Sequence, residues 1–267
     1  MKKLILSFVI LISGAAMFAS CNLISSAGFN SKGLPTPSVN DEAKNIAKNE
    51  AVKVDHSLWN KLLQKHVRED GMVDYKGFKN DREKLNKYLE MLSKQKPDDS
   101  WSAQELLAYY INLYNAYTVD LILRNYPVKS IKDINGAWTS EFINIGDTKI
   151  SLGGIENSLL RKMNEPRIHF AINCASISCP KLINEAFTAP KIEQQLEIVT
   201  REFVNSDKNE ISGNSARLSS IFDWYKGDFT EGGVSLIDYV NRYSKVKIAK
   251  DAEISYLEYN WNLNEAK

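Results

Sequence analysis

The chain has 267 residues, with 34 Lys and Arg against 33 Asp and Glu. That near balance gives no charge bias toward nucleic acid or toward an anionic membrane surface, so neither is an expected partner through charge. The length fits one or two domains.

The N-terminus has its own pattern. Lys2 and Lys3 precede an uncharged apolar stretch from Leu4 to Phe18, which leads into Phe18-Ala19-Ser20-Cys21. The apolar stretch is about 15 residues, short of the roughly 20 a membrane-spanning helix needs. It reads as a processed secretion signal. Small residues directly before a cysteine are what a lipoprotein signal peptidase accepts, although Leu usually opens that box and Phe18 stands here. Residues 1–20 are therefore expected to be a signal peptide and Cys21 the lipid-modified N-terminus. The lipid is the expected attachment to the membrane, with the chain in the cell envelope, facing the periplasm or exterior. Removing Lys2 and Lys3 leaves 32 of the 34 basic residues against 33 acidic ones. Residues 21–54 are rich in Ser, Asn, Gly and Pro and are expected to form a flexible tether. Residues 55–267 are expected to form one domain.

Within that domain, Trp59, Leu62, Leu63 and His66 have helical spacing, and Gly71 ends the piece. Val73-Asp74-Tyr75 reads as a short extended element. Leu85, Tyr88, Leu89 and Leu92 share one face of a predicted helix over 81–94. Ser102 and Glu105 form a capping box, and Leu107, Tyr110, Ile111, Tyr114, Tyr117, Thr118 and Leu121 continue that helix until Pro127. Residues 142–145 and 148–151 flank Gly146-Asp147 as a β-hairpin. Residues 152–162 predict a short helix, and 168–173 an extended run. Helices follow over 191–204, from Ile221, and over 234–243, and an aromatic strand over 254–261 ends the chain. Without βα alternation the expected class is α+β, helices packed on a small antiparallel sheet.

Two segments place polar residues among apolar ones. Glu105, Asn112 and Asn115 lie along one stripe of the long helix, where a carboxylate and two amides line a cleft or, alternatively, cap the helix and tie down loops. In Arg167-Ile168-His169-Phe170-Ala171-Ile172-Asn173-Cys174, a strand puts His169, Ala171 and Asn173 on the face opposite Ile168, Phe170 and Ile172. His169 is then a candidate base beside an amide. Cys174 and Cys179 leave several readings open: a disulfide, free buried thiols, a nucleophilic thiolate with His169 as base, or metal ligands. The disulfide leads, and no metal is expected because the spacing matches no common zinc pattern. Glu156 sits near a helix start, and Arg161 follows Asn157 by one turn. The aromatic strings Phe222-Asp223-Trp224-Tyr225 and Tyr256-Leu257-Glu258-Tyr259-Asn260-Trp261 read first as core and second as a ligand-stacking wall. No cofactor motif is present.

Taken together, Val73-Asp74-Tyr75, residues 110–116, Pro127-Val128-Lys129-Ser130-Ile131, Ser151-Leu152 with Ile155-Glu156, Leu160-Arg161, residues 167–174 with Ser178-Cys179-Pro180, and Phe222-Asp223-Trp224-Tyr225 resemble the bacterial and plant family catalogued as domain of unknown function 547. The resemblance spans roughly residues 73–229. It implies a fold similar to the papain and transglutaminase superfamily, in which a nucleophile heads the central helix and a strand carries the histidine. Here no cysteine heads the helix from Ala103, and Asn157 stands where the family often has His. The function classes that follow are a hydrolase or acyl transferase on peptide or envelope material, a non-catalytic module binding peptide or glycan, and a structural envelope lipoprotein. In the enzyme reading His169 is the base, Cys174 the nucleophile or Glu105 the activator of a water, and Asn112, Asn115 and Asn173 orient groups.

Overall fold

A computed structural model describes residues 31–39 and 54–267. Cys21 and the predicted signal lie outside the described residues. The helices α1 (Ser57–His66), α2 (Tyr75–Asn80), α3 (Arg82–Ser93) and α4 (Ala103–Asn125) come first. The hairpin of β1 (Ile143–Ile145) and β2 (Thr148–Ile150) and a helical run over 152–163 follow. Next come α5 (Ile192–Val204), β3 (Glu210–Ile211), β4 (Ser215–Ser219), α6 (Ile221–Trp224), α7 (Lys226–Phe229), α8 (Leu236–Tyr243) and β5 (Glu253–Leu257). The class is α+β.

The long helix α4 organises the core. Ser102 Oγ accepts from the Glu105 N–H at 3.2 Å and Glu105 Oε2 accepts from the Ser102 N–H at 3.2 Å, closing the capping box. From Leu106 to Leu123 every residue is buried, so α4 is enclosed on all sides rather than along one stripe. One charge inside it, Asp120, is fully buried and paired by Arg82 and Arg124. A buried carboxylate is tolerated when its charge is met in this way.

Four expectations are corrected. The larger sheet, in the order β3-β4-β5, is mixed: β3 and β4 are antiparallel, but β4 and β5 run parallel, with Ala216 opposite Ile254 and Leu218 opposite Tyr256. Among the described residues, only the β1–β2 sheet is purely antiparallel. Residues 168–173 are not a strand. Pro166–Phe170 is a 3₁₀ turn, started by Pro166 and by Glu165, whose carboxylate accepts from the Arg167 N–H. Tyr75 opens a helix capped by Asp74, which accepts from the Gly77 N–H at 2.8 Å, so the extended element there reduces to isolated bridges at Val73. Finally, part of the predicted tether is clamped. Leu34 and Pro35 are buried, Tyr110 Oη donates to the Pro35 carbonyl at 3.0 Å, and the Val39 N–H donates to the Met163 carbonyl at 3.0 Å. No helix among the described residues is long and apolar enough to cross a membrane.

Candidate active site

One amide of α4 sets the position of the loop that matters most. Asn115 Nδ2 donates to the Ala171 carbonyl at 3.0 Å, and its Oδ1 accepts from the Asn173 N–H at 2.8 Å. Asn173 then holds the next turn: its Oδ1 accepts from the Ala175 N–H at 2.9 Å and its Nδ2 donates to the Pro180 carbonyl at 2.7 Å. Ala175 adopts φ +58°, a left-handed conformation that a residue with a Cβ rarely takes. The chain therefore reverses directly after Cys174, and the Cys179 N–H closes the turn on the Ser176 carbonyl at 3.2 Å.

That loop faces a cleft of about 560 Å³ lined in part by Tyr114, Glu156, His169, Cys174, Cys179 and Tyr225. Cys174 is half-buried and Cys179 buried, both with free thiols. Their sulfurs are 3.0 Å apart, longer than a bond and within hydrogen-bonding range. Cys174 Sγ also lies 3.3 Å from Ser176 Oγ and 3.3 Å from Tyr259 Oη. Hydrogen bonding from Cys179 draws the Cys174 thiol below its ordinary value; burial opposes this, Ser176 and Tyr259 add to it, and the Glu156 charge works against it. Burial, reinforced by the neighbouring Cys174, pushes the Cys179 thiol well up.

A second group lines the same cleft. His169 Nε2 bonds Asp228 Oδ2 at 2.8 Å, and Asp228 is gripped bidentately by Arg161 at 2.7 Å on each oxygen. Burial raises the Asp228 carboxyl, but hydrogen bonds and charge from His169 and Arg161 outweigh it and hold the group below the usual carboxylate range. The imidazole stacks on Tyr225 with centroids 3.9 Å apart and meets the edge of Phe229 at 5.4 Å. The other ring nitrogen, Nδ1, is buried and has no hydrogen-bond partner among the described residues. Tyr225 Oη donates to Glu156 Oε1. Arg161 also donates to Asn157 Oδ1 at 2.9 Å and sits 5.4 Å over the Tyr225 ring.

Part of the cleft lining is aromatic. Trp224 and Trp261 stack at 5.8 Å, Tyr259 lies 4.5 Å from Trp261, and Trp138 meets Trp261 edge-on at 5.9 Å. Lys132 Nζ stands 5.2 Å over the Trp261 ring.

Of the sequence candidates, the structure brings His169, Cys174, Cys179 and Glu156 to one cleft. It does not bring Glu105 there: that carboxylate caps α4 and is not among the cleft-lining residues. Asn112 exchanges bonds of 2.7 Å and 3.1 Å with the Phe187 backbone, and Asn115 and Asn173 are spent on the loop, so the three amides position backbone. Cys174 Sγ bonds Cys179, Ser176 and Tyr259, and His169 is not among its hydrogen-bond partners. His169, Cys174 and Cys179 form no metal-holding cluster of three or more such side chains among the described residues. Sequence reasoning missed Asp228 and Trp138, and it read Tyr259 as part of an aromatic string without its contact to Cys174. The partners of Asp228, Tyr259 and Trp138 lie 59, 85 and 123 positions away at His169, Cys174 and Trp261, beyond any local spacing rule.

Residues 99–204 match the model of a family described as Protein of unknown function, DUF547, which supports the resemblance drawn from the sequence. The matched stretch contains Glu156, His169, Cys174 and Cys179 but ends before Tyr225, Asp228 and Tyr259. No curated protein and no solved structure matches the chain.

Proposed function

We propose that this chain is an envelope lipoprotein, anchored through lipid on Cys21, whose cleft is the active site of a cysteine-dependent hydrolase or acyl transferase acting on peptide or envelope material. The observation that carries the catalytic reading is the environment of Cys174. Cys174 lines the cleft, and its sulfur has two potential hydroxyl donors beside it, Ser176 and Tyr259, each at 3.3 Å. Such donors favour the thiolate, which is the attacking form.

The Cys174 thiolate would add to an acyl carbon and expel the leaving group. The leaving group takes up the proton that the Cys174 thiol gave up, and His169, oriented by Asp228 and with Nδ1 unpaired, is the group suited to take a proton from the incoming water or amine. Since His169 makes no direct bond to Cys174, its role falls on the acceptor rather than on the thiol. The likeness to papain and transglutaminase folds belongs to this proposal, with one change. The head of the central helix holds no cysteine, and the sulfur comes instead from the loop that Asn115 pins.

Incubation with a p-nitrophenyl ester tests the reading. A stoichiometric acyl adduct on Cys174, absent in Cys174→Ser and slow to turn over in His169→Ala, supports it. Absence of any adduct on reduced protein refutes it. The anchor is tested separately: Cys21→Ser moves the chain from the membrane to the soluble fraction.

A second reading, a module that binds peptide or glycan without cleaving it, is favoured by the aromatic wall of Trp138, Trp224, Tyr259 and Trp261, which offers flat apolar faces for stacking. It predicts ligand binding that survives Cys174→Ser.

A further inference from the structure

We infer that Cys174 and Cys179 form a reversible dithiol–disulfide couple that exchanges with a disulfide small enough to enter the cleft, Cys174 attacking and Cys179 resolving. The inference stands apart from acyl transfer: it needs both sulfurs, whereas the acyl reading needs only Cys174.

Three features carry it. The sulfurs are already 3.0 Å apart, so closing to a bond of about 2.05 Å asks for a movement of roughly 1 Å. The backbone is folded for that approach. Ala175 at φ +58° and the Cys179 N–H to Ser176 carbonyl bond turn the chain back on itself, and the Cys174 N–H points at Cys179 Sγ at 3.0 Å. The pair is also asymmetric. Both line the cleft, but Cys174 is half-buried while Cys179 is 4% exposed. A more accessible thiol beside a more shielded one is the arrangement in which one thiol meets the substrate and the other displaces it. The depressed Cys174 thiol and the raised Cys179 thiol agree with that division of labour.

The exchange balances as follows. The Cys174 thiolate attacks one sulfur of the substrate disulfide. A Cys174–S–R bond forms, the substrate S–S bond breaks, and the departing thiolate takes up the proton that Cys174 gave up. Cys179 then loses its proton and attacks Cys174 Sγ. The Cys174–Cys179 bond forms, the mixed disulfide breaks, and the second thiolate leaves and is protonated. Two electrons pass from the pair to the substrate, which departs as two thiols. In the disulfide state Cys174 no longer offers a thiolate, so the couple also gates any acyl chemistry at that sulfur.

The test uses the full chain on a Cys21→Ser background, which leaves Cys174 and Cys179 as its two thiols and serves as the wild type for the comparison; it is reduced and freed of reductant, exposed to oxidised glutathione, quenched with an alkylating agent and weighed intact. The expected result is loss of both alkylatable thiols with no glutathione retained, reversed by dithiothreitol. Cys179→Ser should instead trap one glutathione on Cys174, and Cys174→Ser should take up none. Two results overturn the inference: wild-type protein that keeps both thiols alkylatable, and wild-type protein that accumulates glutathione on Cys174 without resolving it. The wild-type measurement does not depend on either variant folding. Because acylation by the ester needs only Cys174, an acylated protein that never closes the disulfide separates failure here from failure of the hydrolase reading.

Discussion

Asn115→Ala removes the amide that ties α4 to the loop carrying His169 and Cys174. Two buried partners are orphaned, the Asn173 N–H, which donated at 2.8 Å, and the Ala171 carbonyl, which accepted at 3.0 Å. Each buried group left without a partner costs about 1–3 kcal/mol, so a loss of roughly 2–4 kcal/mol is expected after partial relaxation. The same change frees the turn that aims Cys174 into the cleft, so its alkylation rate at neutral pH should become less selective over Cys179. Urea unfolding gives the stability change, and peptide mapping of a limiting alkylation gives the selectivity. A loss below about 0.5 kcal/mol, the size of an ordinary surface substitution, would refute the claim that this amide holds the loop.

Three further outcomes are expected. Asp228→Asn should cost about 2 kcal/mol at neutral pH by leaving Arg161 without its counter-charge. Because the Asp228 carboxyl is held below its ordinary 3.8, its contribution is full above that value and fades as pH falls beneath it, so wild type and variant should converge in acid; an undiminished gap at about pH 3 contradicts the assignment. Tyr259→Phe removes the hydroxyl 3.3 Å from Cys174 Sγ, so the midpoint of the alkylation-rate profile against pH should move upward, and an unmoved midpoint would show that this hydroxyl does not favour the thiolate. Ser102→Ala opens the capping box of α4 and should lower stability by about 1 kcal/mol by thermal unfolding with cleft labelling unchanged; altered labelling would show that the cap reaches the site.

The sequence made the helices legible where a local signal was strong. Ser102 and Glu105 announced α4, and Ile192, Leu196, Val199 and Phe203 announced α5. It misled at 168–173, where alternation of Ile168, Phe170 and Ile172 suggested a strand. Both faces of that segment are buried, so alternation carried no information, and the start signal of Glu165 with Pro166 outweighed it. The parallel pairing of β4 with β5 joins segments too far apart in sequence for any turn residue to mark. The site followed the same division. His169 and Cys174 stood out because polar groups in apolar runs are conspicuous. Asp228 and Trp138 were hidden, as was the contact of Tyr259 with Cys174, since these neighbours are set by tertiary packing. Glu105 drew attention for its place on the stripe, but a capping carboxylate looks the same in sequence whether or not it also faces a cleft.

The most direct test of the account is intact-mass analysis of the reduced chain after reaction with a limiting amount of a chloroacetamide electrophile near neutral pH. The account predicts one adduct, mapped to Cys174, formed below the pH at which an ordinary thiol reacts. Adducts spread equally over Cys174 and Cys179, or none until the pH exceeds the ordinary thiol range, would contradict it.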